Sequence, residues 1–125
     1  MPRPLQRRAM SFRYAFEGCW HVLRTQPNAW IHAAATLAVV ALAFWLKLSR
    51  TDWAILVITI TIVWTAEFSN TAIEALVDLV SPSAHPLAKT AKDVAAGSVL
   101  LTAAAAVIVG LIILGPPLWG RITGS

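Results

Sequence analysis

From Ala29 to Leu48 the chain is apolar except for His32, Thr36 and Lys47. At ~1.5 Å per helical residue, about 20 such residues match the hydrocarbon thickness of a bilayer. In lipid a backbone has to satisfy its own N–H and C=O groups, and a lone segment does so only as a helix. The rest of the sequence follows the same rule. With 58% hydrophobic and 13% charged residues in a chain of 125, the composition describes one compact integral membrane unit rather than a soluble domain.

The second span begins at Trp53 and extends to Val80. Its charge-free part, Trp53 to Ala66, is too short to cross a bilayer alone. The span therefore takes in Glu67 and Asn70, which brings ionisable and polar groups to the edge of the hydrocarbon. Such residues are expensive there, and they face protein or water rather than lipid. The third span is expected over 87–114, opening at Pro86 or Leu87, where proline suits a first turn, and closing at Gly115-Pro116-Pro117. That length is ~42 Å, longer than a ~30 Å core, so its Lys89–Asp93 end reaches the interface. Gly97, Ser98, Ala103 to Ala106 and Gly110 are small, as befits close approach between membrane helices.

Ahead of these spans, residues 5–25 alternate apolar positions (Leu5, Ala9, Phe12, Phe16, Cys19 or Trp20, Leu23) in steps of three and four, with Arg7, Arg8, Arg13, Glu17, His21 and Arg24 on the other side. This is the pattern of an amphipathic helix lying in the membrane surface with arginines among anionic headgroups. Thr25-Gln26-Pro27-Asn28 breaks it, and Lys47 to Asp52 forms a short hydrophilic turn with Thr51 or Asp52 expected as the cap of the next helix. The first 25 residues lack the apolar core and small-residue cleavage site of an export signal. The single cysteine, Cys19, excludes an internal disulfide. No alternation of basic and aromatic residues suggests nucleic-acid binding.

Basic residues set the orientation. Arg3, Arg7, Arg8, Arg13, Arg24, Lys89 and Lys92 fall on one side of the expected topology, against Lys47, Arg50 and Arg121 on the other. This asymmetry predicts a cytoplasmic N-terminus, with the Glu67–Asp93 stretch opening to the same compartment.

That stretch carries the chemistry. Of six acidic residues, Glu67, Glu74, Asp78 and Asp93 lie within it, beside Asn70, Lys89 and Lys92. Glu67, Asn70, Glu74 and Asp78 fall within roughly 80° of one another on a helix. A turn containing Pro82 and Pro86 then returns Lys89, Lys92 and Asp93 to about the same level. Carboxylates at helical spacing with an amide and lysines nearby can hold a hard divalent cation and balance phosphate charge. Phosphoryl transfer asks for little more, apart from a base at the attacking hydroxyl, and Glu67 is the deepest carboxylate. The pattern alone also admits a proton or ion path, or a polar face that joins subunits. His32, taken by itself, reads as a hydrogen-bonded core residue. The six tryptophans read mostly as interfacial anchors.

Glu67-x-x-Asn70-Thr71-Ala72-Ile73-Glu74-x-x-Val77-Asp78, followed by His85-Pro86-Leu87-Ala88-Lys89-x-Ala91-Lys92-Asp93, resembles the signature of the prokaryotic diacylglycerol kinase family, which includes undecaprenol kinases. Ser11-Phe12-Arg13-Tyr14-Ala15-Phe16-x-Gly18 is similar to its surface helix, so the resemblance covers nearly the whole chain. It implies an all-α membrane protein, a surface helix plus three membrane helices, assembled as a homotrimer with sites shared between subunits. It also implies transfer of the γ-phosphoryl group of MgATP to a lipid alcohol, diacylglycerol or undecaprenol, at the inner membrane. By position, Glu67 would be the general base and Glu74 a magnesium ligand. Asn70 would position groups in the site, Asp78 would contact nucleotide, and Lys92 and Asp93 would bind and orient phosphates. Arg7 and Tyr14 would contact ATP. Two departures stand out: Gln26 occupies a position where the family often has a second metal-binding glutamate, and Ala84 one where some members have a tyrosine against the nucleotide.

Overall fold

A computed structural model describes Met1 and residues 3–125. Among the described residues the chain is all-helical: α1 (Pro4–Thr25), α2 (Pro27–Trp45), α3 (Arg50–Val80) and α4 (Pro86–Thr123). The last three are long and apolar enough to cross a membrane.

Prolines and caps set the boundaries. Pro4, Pro27 and Pro86 each sit in a first turn, where the missing N–H costs nothing. Gln26 alone separates α1 from α2, in an extended conformation that a following proline favours. Helix α4 is capped by His85, whose Nδ1 accepts from the Leu87 N–H at 3.1 Å. The cap of α3 is Ser49, accepting from the Asp52 N–H at 3.2 Å, rather than the expected Thr51 or Asp52. Ser49-x-x-Asp52 has the spacing at which a serine hydroxyl reaches the third helical N–H, and the acidic residue then lies in the first turn.

Helix α2 ends in a Schellman motif made without glycine. Leu48 N–H bonds Ala43 C=O at 3.3 Å and Lys47 N–H bonds Phe44 C=O at 3.2 Å, with Lys47 at φ 52° in the left-handed region. The turn delivers Leu48 and Trp53 onto a core of Ala43, Leu46, Leu56, Ile113 and Leu114. This core lies at the end of the bundle away from the α3–α4 loop.

The same end explains the largest difference from expectation. Gly115-Pro116-Pro117 does not close α4, which runs on to Thr123. Proline removes a helical donor and crowds the residue before it through that residue's Cβ. Gly115 has no Cβ, and in a membrane helix neighbouring groups and local adjustment re-satisfy the freed carbonyls. A tertiary anchor also holds the extra turns. Arg121 Nη2 donates to Trp45 C=O at 3.1 Å, one of the unpaired carbonyls at the C-terminus of α2, while its guanidinium lies 5.1 Å from the Trp45 ring centroid.

Helix α4 returns along α3 as its principal partner. Ala95 and Val99, not the glycines, fill that contact. A Cβ added at Gly97 or Gly110 would meet nothing within 4 Å, so the close approach expected at these small residues does not occur inside one chain. Gly97 is exposed and Gly110 half-buried. Outward faces elsewhere carry large apolar side chains such as Ile58, Leu100, Leu101 and Ile112, suited to lipid.

Candidate functional site

Among the described residues Glu67 is the one large side chain that is fully buried, at 1% exposure, in a bundle most of whose span surface faces outward. Three helices enclose it. From α2, His32 Nε2 stands 3.5 Å from Glu67 Oε2. From α3, Thr71 donates to the Glu67 carbonyl at 3.0 Å, which orders the backbone beneath it. Beside it lies a cavity of about 210 Å³ lined by Asn28, Ile31, His32, Asn70 and the α4 residues Ala96, Val99, Leu100 and Ala103.

One turn deeper, α2 and α3 are fastened together. Trp64 Nε1–H donates to Thr36 Oγ1 at 3.1 Å, and Thr36 in turn donates to the His32 carbonyl at 2.7 Å. The His32 ring meets Trp64 edge-on at 6.1 Å, and Trp64 stacks obliquely on Phe68 at 5.8 Å. In a low-dielectric layer such direct polar and aromatic contacts stand in for the missing hydrophobic drive between helices.

Along α3 toward the α3–α4 loop, the acidic face emerges in stages. Asn70 is buried, Glu74 is half-buried and Asp78 is exposed. Asn70 Nδ2 donates to Glu74 Oε1 across a long 3.4 Å. Asp78 is paired with Lys92 of α4, and Lys89 with Asp93 one turn away on α4. The two pairs border a second, larger cavity of about 700 Å³ whose wall continues through Ser81, Ser83, Ala84 and His85. A row of polar side chains at helical spacing thus runs along α3 from the buried carboxylate to a basic and acidic mouth at the α3–α4 loop.

Glu67, Asn70 and Glu74 lie on one track, and Asp78, Lys92 and Asp93 come together at its mouth. Arg7 and Tyr14 are exposed on α1 and, among the described residues, hydrogen-bond to none of these side chains; Arg7 Nη2 meets Met1 Sδ at 3.6 Å. Gln26 sits half-buried at the α1–α2 joint. His32 and Asn28 belong to the site and were not singled out for it in the sequence. Their one signal is spacing: they lie four apart, hence on one face, at the start of an otherwise apolar span.

Among the described residues no three His, Cys, Asp or Glu side chains form a ready metal cage. Magnesium seldom uses such a cage; it keeps waters and takes one or two carboxylates plus substrate phosphates. The donors here fit that habit. Glu74 offers a carboxylate oxygen, and the buried Asn70 Oδ1 has no hydrogen-bond donor.

Comparison with known proteins accords with this arrangement. The family profile described as prokaryotic diacylglycerol kinase matches residues 13–114. The chain is 44% identical to an undecaprenol kinase of Bacillus subtilis, over 91% of this chain and 93% of that protein. It is 49% identical to a diacylglycerol kinase of Synechocystis, over 87% of this chain and 63% of that longer protein. With a diacylglycerol kinase of Escherichia coli K12 it shares 34% identity over 76% of this chain and 81% of the relative. A profile match over most of the length, and a relative aligned over more than nine tenths of both chains, lead to one conclusion: this chain belongs to the prokaryotic diacylglycerol kinase family, a family of membrane lipid kinases.

Proposed function

We propose that the protein transfers the γ-phosphoryl group of MgATP to the hydroxyl of a membrane lipid, with diacylglycerol as acceptor and phosphatidate as product. The observation that carries this reading is a fully buried carboxylate, Glu67, beside a cavity, on one helix with a polar track leading to a lysine-bearing mouth. Glu67 takes the proton of the lipid hydroxyl as its oxygen bonds to the γ-phosphorus; the bond to the β,γ-bridging oxygen breaks and ADP leaves. Glu74 would hold a magnesium ion, which would supply charge neutralisation at the phosphate oxygens. Asn70 orients the Glu74 carboxylate and the transferring group. Lys92 stabilises phosphate charge, Asp78 contacts nucleotide and sets the Lys92 ammonium, and Asp93 steers Lys89 toward the same opening. Arg7 and Tyr14 reach ATP only from a neighbouring subunit or after α1 moves, in keeping with a homotrimer that shares its sites. The exposed Gly97, with open space around it, suits such an assembly. The N-terminus and the site are proposed to face the cytoplasm, where nucleotide and magnesium are available.

Undecaprenol is the second acceptor to consider, since the Bacillus subtilis relative that bears that activity in its name aligns over 93% of its length. Mixed micelles containing both lipids, labelled ATP and Mg²⁺, with products resolved, decide between them. Label predominantly in phosphatidate supports the proposal. Label predominantly in undecaprenyl phosphate transfers the same mechanism to the other alcohol.

A further inference from the structure

The His32–Glu67 contact has features that a packed core histidine does not need. Glu67 Oε2 has no hydrogen-bond partner, although its carboxylate is almost wholly excluded from water. His32 Nε2, at 3.5 Å, is the only basic group within ion-pair distance of it among the described residues. The cavity beside the pair contains no other titratable side chain: Asn28 and Asn70 are amides, and the α4 wall is Ala96, Val99, Leu100 and Ala103. The imidazole packs edge-on to Trp64, whose indole is tied to Thr36 one turn along α2, and Thr36 in turn bonds the His32 backbone carbonyl.

We propose that His32 is a positioning residue for Glu67: its Nε2–H holds Oε2, so that Oε1 is the oxygen presented to the lipid hydroxyl. This rests on the reading of Glu67 as the base. A carboxylate free to turn about its last torsion presents its oxygens to a substrate only part of the time, whereas one fixed by a neighbour is pre-aligned. The present 3.5 Å is longer than a good N–H···O bond, as catalytic contacts often are before substrate binds, and a shift of about 0.5 Å closes it. The Trp64–Thr36 link supplies the rigidity that such a supporting shell requires.

The test uses the full-length protein in lipid micelles and four variants. Glutamine places its amide nitrogen near the position of imidazole Nε2; asparagine is one carbon short; leucine has no donor. His32→Gln is expected to keep kcat within about threefold of the parent, while His32→Asn and His32→Leu lose on the order of 10- to 100-fold, with KM for ATP changed less than about twofold. A merely structural role would lower the yield of folded protein and leave Gln and Asn alike. His32→Leu at parental kcat, equal kcat for the Gln and Asn variants, or a loss expressed in KM for ATP would each overturn the inference. If the leucine variant does not assemble, the Gln–Asn comparison still decides. A second readout is independent of turnover. In histidine-labelled protein, Glu67→Gln should move the His32 ring ¹⁵N resonances and leave those of His21 and His85 in place; unmoved His32 signals refute the contact. An inactive Glu67→Gln beside a fully active His32→Leu sinks this inference alone, whereas a fully active Glu67→Gln sinks the base reading with it.

Discussion

Replacing Glu67 by glutamine should separate activity from stability, with the two moving in opposite directions. The substitution keeps the volume and the hydrogen-bonding reach of the side chain and removes only its ability to take a proton. As general base, Glu67 is expected to contribute about 10²- to 10⁴-fold to the rate. The folded state stands to gain. The carboxylate is 1% exposed, one of its oxygens lacks a donor, and the one basic group within ion-pair distance among the described residues is a histidine at 3.5 Å. A buried, poorly paired charge costs several kcal/mol, whereas a neutral amide left short of one partner costs about 1–3 kcal/mol. The net expectation is a change between about zero and +3 kcal/mol, which for a chain of this size is an unchanged melting temperature or a rise of up to ~10 °C. Light-scattering-checked protein in one detergent, assayed for phosphate transfer and melted by calorimetry, gives both quantities from one preparation. A variant that melts lower while retaining turnover would refute the reasoning and make Glu67 a structural residue.

Three further outcomes follow from other parts of the chain. Lys47→Gly should stabilise the protein by about 1 kcal/mol, because a residue at φ 52° without glycine's freedom carries a steric penalty, less the extra entropy glycine loses on folding; an unchanged or lower melting temperature would contradict it. Lys92→Met should raise KM for ATP at least about tenfold, since it removes a charge-assisted phosphate contact and leaves Asp78 unpaired at the mouth; a loss confined to kcat would place Lys92 elsewhere in the reaction. Gln26→Glu should lower the magnesium concentration for half-maximal activity if the amide at that position limits metal binding. An unchanged requirement would put position 26 outside the metal shell.

Much of the architecture was legible because membrane helices are constrained twice, by apolar length and by proline. Pro27 and Pro86 open helices where their missing N–H is harmless, and the Glu67–Asp78 spacing puts the acidic face on one side of α3. What escaped the sequence depended on tertiary partners. Pro116 and Pro117 read as a stop, yet Gly115 relieves the crowding and Arg121 finds the end of α2, across 76 residues of sequence. Gly97 and Gly110 read as places where membrane helices approach closely; within one chain it is Ala95 and Val99 that α4 turns inward. His32 read as an ordinary core residue because nothing local distinguishes a histidine in an apolar helix. Only the crossing of α2 and α3 brings it to Glu67.

The most direct test of the account is transfer of labelled phosphate from ATP to lipid in mixed micelles, run on parent protein and Glu67→Gln side by side, with Mg²⁺ and with the metal chelated. The account predicts labelled lipid from the parent with Mg²⁺ alone, and labelling reduced by about 10² or more in the variant and in the chelated sample. Folded parent protein that labels neither diacylglycerol nor undecaprenol, or a Glu67→Gln variant that labels as fast as the parent, would contradict it.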